Sequence, residues 1–231
     1  MDGPSPEAMD RVALAALDLV DDGMLIGLGT GRAAEAFIRR LGERVAGGLR
    51  VRAVTTSERS EQLAGSFGIS LGSLGEIERL DVDFDGADEV TPELHLTKGL
   101  GGALVRERVV AHAARRFVVL CTPDKLVAQL GSRSAIPIVV VPFAARLVAR
   151  ELGRLGGEPV ERLTKDGQSY RTDDGGLVLD TRFTPIATPL ELERAIRRIP
   201  GEIDTGLFLG MAERALVGWP DRVQTLSRAA A

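Results

Sequence analysis

The chain has one cysteine, two histidines, one tryptophan and one tyrosine among 231 residues. A single cysteine excludes an intrachain disulfide. Cys121 ends the apolar run Phe117-Val118-Val119-Leu120, which marks it as a buried structural thiol rather than a nucleophile. His95 and His112 stand in no metal-spaced cluster, so no metal site is expected. The G-x-S-x-G elbow of serine hydrolases is missing. No apolar run approaches transmembrane length, and the opening MDGPSPEAMD does not read as a signal peptide, so a cytoplasmic chain with no membrane partner is expected. The net charge is −4 with no basic block, which leaves nucleic-acid binding without electrostatic support. What remains is carboxylate and amine chemistry without a cofactor.

Hydrophobic residues make up 44% of the chain, and its length suits one large domain or two unequal ones. The richest stretch is residues 80–107, LDVDFDGADEVTPELHLTKGLGGALVRE. Leu80, Val82 and Phe84 alternate with Asp81 and Asp83, the period of a short strand. Gly86 offers a sharp turn, which would leave Asp85 and Asp88 at the strand's carboxyl end, the edge where open α/β sheets bind ligands. Lys98, a Gly99-Leu100-Gly101-Gly102 loop and a helix carrying Glu107 follow. Ala103, Leu104, Val110 and Ala111 form that helix's apolar stripe, and Glu107 falls inside it. Burial there would raise its pKa towards that of a useful general base. Two plainer readings compete. A solvated acidic loop explains the charges alone. An EF-hand loop fits Asp81, Asp83, Asp85 and Gly86, but its twelfth position, which requires Glu, is Pro92.

The remaining pattern alternates strands and helices. Residues 7–20 read as an amphipathic helix, 24–28 as a strand, and Gly29-Thr30-Gly31 as a turn into a second helix. A strand, a glycine turn and a helix start make an anion site. Gly27, Gly29 and Gly31 do not complete G-x-G-x-x-G, because Arg32 takes the third position, and no G-K-[ST] follows. A phosphate on the substrate is therefore expected rather than a nicotinamide. Strands are expected at 51–55, 69–71 and 117–121, with Lys125 just past the last of them. From 136 onwards the order is strand, helix, strands, helix, strand, a split βαβ unit of ferredoxin-like kind. Its second helix is expected to start in a capping box at Thr188-Pro189-Leu190-Glu191 and run to about 198. The expectation is an α/β fold: a Rossmann-like parallel sheet (1–131, completed by 203–231) with a smaller α+β insertion (132–202) serving as lid or assembly unit.

These motifs together resemble the A type of ribose-5-phosphate isomerase. That family's G-x-G-T-G is matched at residues 27–31, its D-G-A-D-E at Asp85 to Glu89, its K-G-x-G-x-A-L-x-R-E at Lys98 to Glu107, and its D/S-K pair at Asp124-Lys125. Its V-x-x-G-L-F is matched in part at Ile203 to Phe208, and its V-x-x-L-G-G-x-P at Leu152 to Pro159. The resemblance implies metal-free interconversion of ribose 5-phosphate and ribulose 5-phosphate through an enediolate, in a homodimer or homotetramer. It implies Glu107 as the base between C1 and C2, and Asp85 and Asp88 for hydroxyl protons and ring opening. Lys98 would steady the oxyanion. Thr30, Gly31 and the helix start at Arg32-Ala33 would hold the phosphate with Lys125. Gly86, Ala87 and Gly99 to Gly101 would line the sugar.

Three positions depart from the family. Arg32-Ala33 replaces Ser-Thr, Met9 stands where a phosphate-binding lysine is usual, and Leu100 interrupts K-G-G-G. Arg32 can replace the lost phosphate contacts with its two-pronged guanidinium. The alternatives are an isomerase of a different phosphosugar, a non-catalytic sugar-phosphate sensor on the same fold, or a coenzyme A transferase of similar topology.

Overall fold

The computed structural model describes residues 5–183 and 186–228. Helix α1 (Pro6–Leu17) starts under a Ser5 cap, and strand β1 (Leu25–Leu28) follows. Next come α2 (Arg32–Ala46), β2 (Arg52–Thr55), α3 (Glu58–Ser66), β3 (Ser70–Leu71) and β4 (Val82–Gly86). Two very short strands, β5 (Glu89–Val90) and β6 (Leu96–Thr97), precede α4 (Leu104–Ala113) and β7 (Phe117–Cys121). The later elements are β8 (Ile136–Val140), α5 (Ala145–Arg154), β9 (Glu158–Glu161), β10 (Leu177–Arg182), α6 (Pro189–Ile196), β11 (Glu202–Thr205), β12 (Leu207–Phe208), β13 (Arg214–Gly218) and β14 (Val223–Ser227).

The large sheet runs β14-β13-β7-β4-β1-β2-β3, parallel except for the β13–β14 pair. The chain moves outward from β1 to β3 and then returns to β4 on the other side. The strand order therefore reverses between β1 and β4, the switch point at which such sheets open a crevice. The sheet's two faces carry different chemistry. Ile26, Leu28, Val82 and Phe84 pack under α1 and α2, where Phe37 meets Phe84 with ring centroids 4.5 Å apart. Because side chains alternate along a strand, Asp83 and Asp85 project to the opposite face, towards α4.

Gly27 and Gly29 make room for them. A Cβ on Gly29 would overlap the Asp85 carboxylate, and one on Gly27 would overlap Asp83 and Val110. These two glycines serve packing against neighbouring acids as well as the turn.

A four-stranded antiparallel sheet, β11-β8-β10-β9, carries the βαββαβ order of a ferredoxin-like unit. Its last strand, β11, extends to Thr205, and the chain re-enters the large sheet only at Arg214. The run 202–208 breaks at Gly206: β11 joins the small sheet, while β12 pairs with β6, and β6 with β5, in a third, three-stranded sheet. Gly206 is pressed against the Lys98 carbonyl, where a Cβ would not fit.

Two expectations are corrected. Gly86 makes no left-handed turn; β4 continues through it, pairing Gly86 with Leu120. Thr188 precedes α6 without a side-chain cap bond, and that helix stops at Ile196. Between β9 and β10, where the unit's pattern of strands allows a further one at 169–171, Ser169 and Arg171 make only isolated bridges, to Leu163 and Leu177.

Candidate active site

The site is assembled where β1, β4 and β7 end. Beyond β1 the chain turns through Gly29-Thr30-Gly31. Gly31 has φ +102°, a conformation that favours glycine, and α2 starts directly after it without a side-chain cap. The first-turn N–H groups of α2 are thus unspent, and its dipole favours an anion there.

Thr30 is fixed from two sides. Its N–H donates to Asp85 Oδ1 (2.9 Å), and its hydroxyl sits 2.7 Å from those of both Thr56 and Ser57. Ser60 extends the cluster and donates to the Gly29 carbonyl (2.6 Å). Thr56 and Ser57 follow the carboxyl end of β2. Ser57 also caps α3 through the Ser60 N–H.

The charged centre is buried. Lys98 Nζ lies 2.8 Å from Asp85 Oδ2 and 3.4 Å from Glu107 Oε2, and it donates to the Gly86 carbonyl (2.6 Å). Lys98 is 2% exposed, Asp85 0% and Glu107 4%, so the three interact where solvent screens them little. Burial pulls the Lys98 pKa down, but Asp85 and Glu107 outweigh it and hold the ammonium charged. Burial pushes Glu107 up to about 8, against the pull of Lys98. Asp88 is also raised by burial, opposed by the Leu100 N–H that its Oδ2 accepts (3.0 Å). The Asp83 carboxylate, behind the cluster, has no hydrogen-bond partner among the described residues. Burial first, and Asp85 second, push its pKa well above the ordinary range.

Glu107 is carried by α4, and its neighbour Arg108 anchors that helix. The Arg108 guanidinium lies 4.1 Å from the Phe208 ring centroid, pairs with Asp204 at 2.8 Å and donates to the Thr205 and Leu207 carbonyls. Lys98 itself is held at the break between β11 and β12: its N–H donates to the Gly206 carbonyl (2.9 Å).

A cleft of about 300 Å³ opens over this centre. Thr30, Gly31, Arg32, Ala33, Gly86, Ala87, Asp88, Lys98, Gly99, Leu100, Gly101, Glu107 and Lys125 all line it. Asp85 is the exception among the residues expected there. It lies beneath the cleft, with Oδ1 accepting the Thr30 and Gly86 N–H groups and Oδ2 facing Lys98. Met9, Leu120, Cys121 and Thr122 complete the lining. The Cys121 thiol is pushed up to about 12 by burial, which leaves it un-ionised at neutral pH.

A switch-point cleft with an uncapped helix at one end and a buried carboxylate–ammonium cluster at the other defines an α/β enzyme built for proton transfer. Comparison with known proteins specifies the family. The model of ribose 5-phosphate isomerase A (phosphoriboisomerase A) matches residues 52–222. The ribose-5-phosphate isomerase A of Thermomicrobium roseum is 48% identical over 222 residues, covering 96% of this chain and 94% of that one. The corresponding protein of Gloeobacter violaceus is 49% identical, covering 95% of each chain. Among solved structures, ribose 5-phosphate isomerase A from Methanocaldococcus jannaschii aligns with a TM-score of 0.92 at 41% identity, over 96% of this chain and 98% of that one. A D-ribose-5-phosphate isomerase in complex with phospho-erythronic acid aligns with a TM-score of 0.93 at 36% identity, over the same shares. The chain belongs to the ribose 5-phosphate isomerase A family.

Proposed function

We propose that the chain interconverts D-ribose 5-phosphate and D-ribulose 5-phosphate through an enediolate. The observation that carries this reading is Glu107, a carboxylate with its pKa raised to about 8, set 3.4 Å from a charged lysine in a cleft with an anion site. Glu107 removes the C2 proton of the open-chain aldose and returns it to C1. Lys98 offsets the charge that develops on the carbonyl oxygen, the kind of fixed electrostatic contribution that dominates many such steps. Asp88, which lines the cleft and is raised by burial, exchanges protons with the sugar hydroxyls and assists ring opening. Asp85 is given a different part from the one its motif suggests. With both oxygens engaged, it holds Lys98 and the Thr30 turn in place. The phosphate sits on the first turn of α2, within reach of Arg32 and Lys125.

Turnover of ribose 5-phosphate in excess EDTA, followed across pH, tests this reading. The unprotonated Glu107 is the active form, so kcat/KM rises about tenfold per pH unit and levels near 8. The Lys98 ammonium persists throughout that range. A profile that is flat from 6 to 9 removes Glu107 as the base. Loss of turnover under EDTA removes the metal-free mechanism.

Arg32 compensates for the absent hydroxyls of the phosphate turn. Arg32→Ala is expected to raise KM for ribose 5-phosphate about 10–100-fold, the worth of a charged hydrogen bond, with little change in kcat. An unchanged KM would show that the α2 amides hold the phosphate without it.

The same reading takes the chain as a cytoplasmic homodimer or homotetramer. The apolar side chains of Phe143 and Val160, 99% and 66% exposed beside the small sheet, support an interface there. Sedimentation of the purified chain reads the state directly.

A further inference from the structure

Arg162 stands just past β9, more than sixty positions from the glycine loop, and no motif marks it. Its guanidinium is gripped in two-pronged fashion by Asp180 on β10, with Nε to Oδ2 at 2.8 Å and Nη2 to Oδ1 at 2.5 Å. The remaining arm, Nη1, donates to two successive carbonyls of the catalytic loop, Gly99 O at 3.1 Å and Leu100 O at 3.0 Å. The side chain is only 14% exposed. Tyr170, whose ring lies 5.6 Å from the guanidinium, covers the next turn of the loop. A Cβ on Gly102, where φ is +84°, would overlap the Tyr170 hydroxyl.

Peptide geometry turns this clamp into a functional statement. In a planar trans peptide the C=O and the following N–H point in opposite directions. Drawing the Gly99 carbonyl towards Arg162 therefore aims the Leu100 N–H the other way, and that N–H meets Asp88 Oδ2. Drawing the Leu100 carbonyl the same way aims the Gly101 N–H away from Arg162. Gly101 lines the cleft, and its N–H has no protein acceptor among the described residues. We infer that Arg162, braced by Asp180, is a positioning residue for the reaction: from the inserted unit it sets the orientation of two loop peptides, one steadying Asp88 and the other presenting the Gly101 N–H to a sugar oxygen. This rests on the isomerase reading for the identity of the sugar but not for the clamp itself.

The contact also gives the insertion a part in catalysis beyond covering the cleft. Displacement of positioned groups by about 1 Å costs on the order of 10²-fold in rate. The loop holds Asp88 through a single N–H.

The test compares Arg162→Met and Asp180→Asn with the parent chain by two independent readouts. The first is backbone amide exchange of residues 98–102 by mass spectrometry, without substrate. The second is the pH dependence of kcat and KM for ribose 5-phosphate. Exchange in the loop is expected to quicken at least tenfold in Arg162→Met and less in Asp180→Asn, with the melting temperature of Asp180→Asn within a few degrees of the parent. In Arg162→Met, kcat is expected to fall about 10²-fold with a smaller change in KM. A second inflection, below the limb set by Glu107, should move upward, because Asp88 loses the N–H that opposes burial. Unchanged exchange and an unchanged profile in a folded variant overturn the clamp. Should Arg162→Met fail to fold, Asp180→Asn, which keeps the guanidinium but frees it, is judged by the same two criteria. A parent chain with no turnover but with exchange that responds to these substitutions would overturn the isomerase reading and leave the clamp standing.

Discussion

Replacing Glu107 by Gln lowers kcat about 10²–10⁴-fold, equivalent to about 3–5 kcal/mol of lost transition-state stabilisation, with KM nearly unchanged. The substitution is close to silent structurally. Burial already favours the uncharged form of this side chain, and an amide of the same shape remains beside Lys98. Lys98 keeps Asp85 at 2.8 Å and so is not left without an opposite charge. The loss therefore reports the proton-transfer step and not the fold. Wash-out of deuterium from C2 of the labelled sugar should slow in parallel with kcat. A decrease of less than about tenfold, or unaltered wash-out, would place the base elsewhere in the cleft.

Lys98→Met affects both rate and stability. The variant loses the ammonium that offsets the developing oxyanion, which costs about 10²–10³-fold in kcat. It also leaves Asp85 and Glu107 buried without their counter-charge, and removing one partner of a buried pair costs about 3–5 kcal/mol. The pH dependence has a definite sign. The Lys98 pKa is raised on folding, so its contribution to stability is complete below its unfolded value near 10.5 and is lost as pH rises through the folded value. In the variant Glu107, which Lys98 no longer pulls down, takes up a proton more readily. The variant's stability deficit should therefore be largest near pH 8 and shrink towards pH 4. Urea melts at several pH values measure this; a deficit independent of pH would mean that the methionine perturbs packing alone.

Much of this arrangement was legible in the chain. The helical spacing of Leu104, Val110 and Ala111 placed Glu107 in a buried stripe, and it is 4% exposed. The alternation of Val82, Asp83, Phe84 and Asp85 set two opposed faces before any pairing was known. What the sequence could not display are relations between distant positions. The union of Asp85 with Lys98 and the hydroxyl cluster of Thr30, Thr56 and Ser57 depend on which strands lie side by side. β5 and β6 escaped notice because two-residue strands have no periodicity to detect. The Gly86 turn was misread because its neighbours resemble turn residues, while its pairing with Leu120 outweighs that preference. The packing role of Gly27 and Gly29 is invisible in the strand-and-turn pattern, since the acids they accommodate come from β4, more than fifty residues later.

The bond from the Lys98 N–H to the Gly206 carbonyl has a consequence for biosynthesis. A growing polypeptide emerges amino end first, and the catalytic amine has its final backbone support only after Gly206 has been made. Until then the ribosome carries a chain whose acids have been synthesised but whose cation lacks its anchor. Lys98 is by then already in the chain, and it is the backbone position of its ammonium that is not yet fixed beside the acids. The third sheet, in which β12 pairs with β6, is therefore completed only in the last part of translation, and with it the backbone support of the buried amine.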